Sequence, residues 1–173
     1  MQRNYFELFG LTASFGINSD ILDQAFRQLQ AEVHPDRFAA AADSERRQSL
    51  QWATHANEAY RTLKNPLSRA RYLLQLHGVD TQEESNTAMP ADFLMRQMEW
   101  REAIEEAGAS GDSDALDALG RELRLEARSL HGSLARQLDE QADYPHASET
   151  VRKLRFLDKV QAEIDQAIET LEN

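Results

Sequence analysis

Leu22, Ala25, Phe26, Leu29 and Val33 recur at spacings of three and four, which places them on one apolar face of an amphipathic helix. Ser19 is its expected N-cap, with Asp20 in the first turn, where the helix dipole favours an anion. The helix must end ahead of Pro35, because the residue before a proline is pushed out of the helical region. A loop through Arg37 to about Ala42 follows, and Asp43 or Ser44 is expected to cap a second helix. That helix turns Leu50, Ala53, Ala56, Tyr60 and Leu63 inward. Two such helices joined by a short loop pack as an antiparallel hairpin, and the small Ala53 and Ala56 permit close approach. Before the hairpin, Tyr5, Phe6, Leu8 and Phe9 predict one or two helical turns closed by Gly10. After it, Asn65-Pro66 pairs a capping residue with a proline at the first helical position. Ala70, Leu73 and Leu76 continue that short helix until His77-Gly78.

The pattern then lapses. Residues 77–88 are polar and read as a linker between a module at 1–76 and a second at 89–173. In the second module, Met89-Pro90-Ala91-Asp92 starts a helix that runs to about Ala107, where Gly108-Ala109-Ser110-Gly111 breaks it. Asp112 or Ser113 caps the next, with Leu116, Leu119, Leu123, Leu130, Leu134 and Leu138 on one stripe and Gly120 and Gly132 as weak points. Asp143-Tyr144-Pro145 separates a last helix, with Leu154, Leu157, Ile164, Ile168 and Leu171 inward. An antiparallel three-helix bundle is the simplest arrangement. Its first helix carries two apolar stripes. Phe93, Trp100, Ile104 and Ala107 share one face; Leu94 and Met98 share another, bordered by Met95 and Glu102, with Glu99 at the edge. The second stripe is either buried on its own side or left as an adaptable Met/Leu binding surface. Phe156, off the last helix's main stripe, poses the same choice.

Composition narrows the class. Apolar residues make up 41% of 173, enough for a core, and only seven Gly and four Pro interrupt the chain. An all-α fold follows. A net charge of −11 disfavours nonspecific binding to nucleic acid, which relies on Lys and Arg at phosphates. The absence of Cys excludes disulfides and thiolate-held zinc or iron–sulfur clusters. There is no signal-peptide apolar region and no run of membrane-spanning length, so a soluble cytoplasmic protein is expected. His34, His55, His77, His131 and His146 form no metal-ligand pair on one helix, and no Gly-rich phosphate loop occurs. Neither catalysis nor a metal or other cofactor is expected.

Alone, His34-Pro35-Asp36 reads as a helix stop: His at the last carbonyls, Pro enforcing the end, Asp making a turn. Its setting says more. It falls between the helices of a hairpin, preceded by Tyr5-Phe6-Glu7-Leu8-Phe9-Gly10-Leu11 and followed by Ala56-Asn57-Glu58-Ala59-Tyr60-Arg61-Thr62-Leu63. Together these resemble the J-domain, over residues 1 to about 76. The resemblance implies docking on the ATPase domain of a DnaK-type chaperone and stimulation of ATP hydrolysis. Asp36 would meet a partner arginine through a charge-assisted hydrogen bond. Pro35 would fix the loop and His34 orient it. In many J-domains the helix before the loop is rich in Lys and Arg; here it holds only Arg27, while Arg37, Arg46 and Arg47 lie beyond it. Arg27 and Arg37 are the basic candidates at this surface, and the departure points to a specialised chaperone partner.

Further segments are similar to the HscB family: Leu63-Lys64-Asn65-Pro66-Leu67-Ser68-Arg69-Ala70-Arg71-Tyr72-Leu73-Leu74, Phe93-Leu94-Met95-Arg96-Gln97-Met98-Glu99 and Leu154-Arg155-Phe156-Leu157-Asp158-Lys159. That resemblance implies a co-chaperone that brings the iron–sulfur scaffold protein IscU to the chaperone HscA. Leu94, Met95 and Met98 would form the apolar scaffold-binding patch. Glu99 and Glu102 would add polar contacts, and Phe156 a contact from the last helix. Eukaryotic members can carry an N-terminal Cys-rich segment; its absence here implies a bacterial-type protein. The alternative is a J-domain protein with another client, or with a purely structural C-terminal bundle.

Overall fold

The computed structural model describes residues 3–83 and 89–172. All regular structure among them is helical, in two compact units, Met1–His77 and Gly78–Asn173. Residues 84–88, within the segment read as a linker, lie outside the described residues.

The first unit holds α1 (Tyr5–Leu8), α2 (Ser19–Val33), α3 (Asp43–Lys64) and α4 (Pro66–Leu76). In α1, the Asn4 carboxamide accepts from the Glu7 N–H and the Glu7 carboxylate accepts from the Asn4 N–H, a reciprocal cap. The α2 and α3 helices form the expected hairpin. Phe26 of α2 stacks on Tyr60 of α3, ring centres 4.1 Å apart. Near the hairpin's open end, Asp23 accepts from Lys64 Nζ at 2.7 Å and from the Tyr60 hydroxyl at 3.0 Å. Phe6, Leu22, Ala59, Leu63, Ala70 and Leu74 are fully buried and make the core.

Arg69 of α4 is buried among them. Its Nε donates to the Phe15 carbonyl at 2.7 Å and its Nη1 to the Leu63 carbonyl at 2.6 Å, with the guanidinium over the Phe15 ring. A buried cation is tolerable only with its donors so satisfied, and this one ties the 11–18 loop to the α3–α4 corner.

Several expectations need correction. The cap of α2 is Asn18, not Ser19: its carboxamide accepts from the N–H groups of both Asp20 and Ile21. Neither Asp43 nor Ser44 caps α3. Ala42 holds the cap position, and the Glu45 carboxylate reaches back to its N–H at 3.2 Å. Leu50, placed on the inward stripe, is 58% exposed, and Ser49 takes the buried position instead. Leu76 is likewise exposed. The Asn65 cap of α4 is as expected, accepting from the Ser68 N–H at 2.9 Å.

The second unit is a bundle of α5 (Ala91–Ser110), α6 (Ser113–Ala135) and α7 (Tyr144–Glu172). The α5 helix runs through Gly108 to Ser110, past the expected stop at Ala107. The break comes at Gly111, whose φ of +72° is the left-handed conformation that Gly adopts at least cost. Asp112 caps α6, accepting from the Ala115 N–H. Beyond α6 the chain widens into one π-turn, Arg136–Glu140, which carries Leu138 half-buried. Phe93, Trp100, Leu116, Leu123, Leu157, Val160 and Ile164 form the core, with Leu119, Leu130, Ile104 and Ile168 packed against it. Leu171, expected inward, is exposed near the end of α7. The polar stretch begins packed on α7: Thr81 is buried, and its carbonyl accepts from Arg152 Nη1 at 3.1 Å.

Candidate binding surfaces

The end of α2 sets the geometry of the first surface. His34 leaves the helix in extended conformation, with φ −60° and ψ 129°, and Pro35–Phe38 then form a single 3₁₀ turn. Besides its backbone bonds, three hydrogen bonds from or to side chains brace this turn. Ser49 Oγ of α3 donates to the Val33 carbonyl at 2.7 Å. Arg37 Nη1 donates to the Ala31 carbonyl at 3.1 Å. His34 Nδ1 accepts from the Asp36 N–H at 3.2 Å. The first two satisfy carbonyls that a helix C-terminus leaves without partners. The Asp36 carboxylate lies 3.6 Å from the same nitrogen, and 91% of its side chain is exposed. A carboxylate in that position can accept a bidentate hydrogen bond from an incoming guanidinium. Arg27 is exposed on α2, one turn beyond Asp23. Arg37 is exposed as well, although one of its N–H groups is committed to the loop.

The second surface lies on α5. Its inward face is settled by Phe93, Trp100 and Ala107, all buried, with Trp100 Nε1 donating to Glu122 of α6 at 3.1 Å. Arg96 leans over the Trp100 ring and pairs with Glu126 at 3.1 Å, which occupies it structurally. The opposite stripe is open: Leu94 is 41% exposed, Met95 63% and Met98 72%. Glu99 and Glu102 are exposed beside them. Phe156 of α7 is half-buried, its ring edge against Phe93 at 6.0 Å and the Arg101 guanidinium 5.3 Å above it. Leu94 and Phe156 line one groove together, whereas Met95 and Met98 lie outside it. Periodicity did not point to Arg152, Arg155 and Lys159, which line the same groove. Their spacing of three and four was a readable signal, hidden by the many other charges of the chain.

No cluster of three His, Asp or Glu able to hold a metal occurs among the described residues, and none of their helices is long and apolar enough to cross a membrane. A helical hairpin that turns through a 3₁₀ segment carrying an exposed Asp36, and a helical bundle bearing an open apolar stripe, are the two candidate surfaces. Residues 89–165 match the family model described as the HSCB C-terminal oligomerisation domain. A co-chaperone protein HscB homolog of an Azoarcus species is 54% identical over 100% of this chain and 98% of its own. That of Cupriavidus taiwanensis is 51% identical over the same shares. Chaperone HscB from Vibrio cholerae is 38% identical with a TM-score of 0.86, covering 98% of this chain and 99% of that one. Human co-chaperone HscB is 31% identical with a TM-score of 0.89, covering 95% and 82%. The chain belongs to the HscB family, the J-domain co-chaperones of iron–sulfur cluster assembly. It is a family of co-chaperones, not of enzymes.

Proposed function

We propose that this co-chaperone bridges one ATPase and one client in the cytoplasm. His34, Pro35 and Asp36, with Arg27 and Arg37 beside them, dock on a DnaK-type chaperone of the HscA kind and stimulate its ATP hydrolysis. Leu94, Met95, Met98, Glu99, Glu102 and Phe156 hold the iron–sulfur scaffold protein IscU and bring it to that chaperone. The open stripe of Leu94, Met95 and Met98 carries this reading. Three large apolar side chains stay in water on a helix whose other face already fills the core, and such a surface favours a partner that covers it.

Chaperone ATPase turnover, measured with and without the scaffold protein, tests both surfaces. Asp36→Asn removes a charge-assisted hydrogen bond of about 1.5–3 kcal/mol, so stimulation falls roughly tenfold or more while scaffold binding persists. Joint replacement of Leu94, Met95 and Met98 by Ala removes about 1–2 kcal/mol per covered anchor. It abolishes the synergy between scaffold and co-chaperone and leaves basal stimulation intact. Full stimulation by folded Asp36→Asn, or full synergy from the triple variant, refutes the assignment of that surface.

A further inference from the structure

The groove beside the apolar stripe has a chemistry of its own. It measures about 280 Å³ and lies between α5 and α7. Leu94 and Phe156 form its apolar wall, Gln97 lines its α5 side, and Arg152, Arg155 and Lys159 line its α7 side. The cations stand at spacings of three and four, so they share one face of the helix. Among the described lining residues these three cations meet one carboxylate, Glu83, in a chain whose net charge is −11.

Their engagement differs. Arg152 Nη1 donates to the Thr81 carbonyl and to Ser148 Oγ, each at 3.1 Å, so it is tied into the fold. Lys159 is exposed. Arg155 has 40% of its side chain exposed, and its Nε lies 3.6 Å from Glu83 Oε2, too long for a well-formed hydrogen bond. The Glu83 side chain is only 8% exposed there, and its other oxygen accepts from Thr81 Oγ1 at 2.8 Å. A carboxylate of the chain's own thus already sits at the edge of this groove, yet leaves its positive charge in excess.

We infer that the groove is the charged half of the client site and takes an acidic stretch of the iron–sulfur scaffold protein. The inference rests on the reading of the Leu94, Met95 and Met98 stripe as the client surface. Two observations carry it. Leu94 belongs to both the exposed stripe and the groove, so a partner covering the stripe borders the groove that Arg155 and Lys159 line. The excess positive charge is complementary to carboxylates that flank an apolar anchor. The stripe then has exposed carboxylates, Glu99 and Glu102, beside it on α5 and the groove's cations on α7, and opposite charges set the direction in which a client segment lies.

Calorimetric titration of the full chain with purified apo scaffold protein, at roughly 0.05 M and 0.5 M salt, is the test. Arg155→Glu with Lys159→Glu is expected to weaken binding about tenfold at low salt, and the deficit shrinks at high salt as screening grows. Should the reversed pair compromise folding by circular dichroism, Arg155→Ala with Lys159→Ala gives the same comparison with a smaller loss. Wild-type affinity of the folded pair at both salts, while the Leu94, Met95 and Met98 triple variant loses binding, overturns the groove and leaves the client surface standing. If the unaltered chain fails to bind the scaffold protein, the client reading itself falls, and the groove's assignment with it.

Discussion

Ser49→Ala puts the geometry of the docking loop to a quantitative test. The Ser49 hydroxyl is 5% exposed as a residue and donates to the Val33 carbonyl at 2.7 Å, one residue before His34. Removing it deletes one hydrogen bond, worth about 0.5–1.5 kcal/mol net. It also strands a carbonyl, which costs about 1–3 kcal/mol when water is wholly excluded. Val33 is only half-buried, so water recovers part of that loss, and the expected cost is about 1–1.5 kcal/mol. For a unit of 77 residues, each kcal/mol lowers the melting midpoint by about 4–8 °C. Amide exchange over residues 29–34 should accelerate roughly five- to tenfold under native conditions. Because the same bond anchors the start of the His34 turn, chaperone stimulation should fall more than stability alone predicts at a temperature where the protein stays folded. Ser44→Ala, at an exposed position in the first turn of α3, is the control. Exchange and stimulation indistinguishable between the two variants would show that the Ser49 bond does not hold the loop.

Two further outcomes follow from caps and charges. Gly108 lies inside α5 with open space where a Cβ would stand, so Gly108→Ala should stabilise by about 0.5–1 kcal/mol in urea unfolding. Gly111→Ala, at φ +72°, should destabilise by about 1–2 kcal/mol in the same assay; equal effects would refute the placement of the helix end. The hydrogen bond from Lys64 holds the Asp23 carboxyl below its ordinary value of 3.8, with a second bond from Tyr60. A depressed folded value means that this stabilisation is complete above 3.8 and is lost as pH falls through the folded value. Lys64 is raised above 10.5 chiefly by the same bond, so its share is lost only as pH rises through that raised value. Asp23→Asn should therefore flatten the acid limb of a stability-against-pH curve and leave its slope near neutrality unchanged; an acid limb as steep as in the unaltered chain would count against the pairing.

The helices themselves were legible because most of their boundaries are written in local chemistry. Asn65-Pro66 starts α4 and Asp112 starts α6 where caps of those types are read. The misplaced residues fail for one shared reason: periodicity sees apolarity and misses what a buried position must do. Ser49 faces the carbonyl end of α2, where a hydroxyl donor serves better than a Leu, so the inward position slips from Leu50 to its neighbour. Asn18 outcompetes Ser19 because its carboxamide reaches two N–H groups at once. In α5, two apolar stripes left both fates open for Leu94, Met95 and Met98. Only the packing of Phe93 and Trp100 against α6 and α7 decides that the second stripe is exposed. The groove joins side chains more than fifty positions apart in the chain, and no local pattern reports that.

The chain holds two tryptophans, and the fold has given them opposite surroundings. Trp52 stands 45% exposed on α3, edge-on to His55, while Trp100 is sealed in the bundle with its indole N–H bonded to Glu122. Each unit thus contains one tryptophan, that of the hairpin open to quenchers and that of the bundle shielded from them. Iodide quenching separates the two emissions without any label. Events at the hairpin and events in the bundle can then be timed independently on the native molecule.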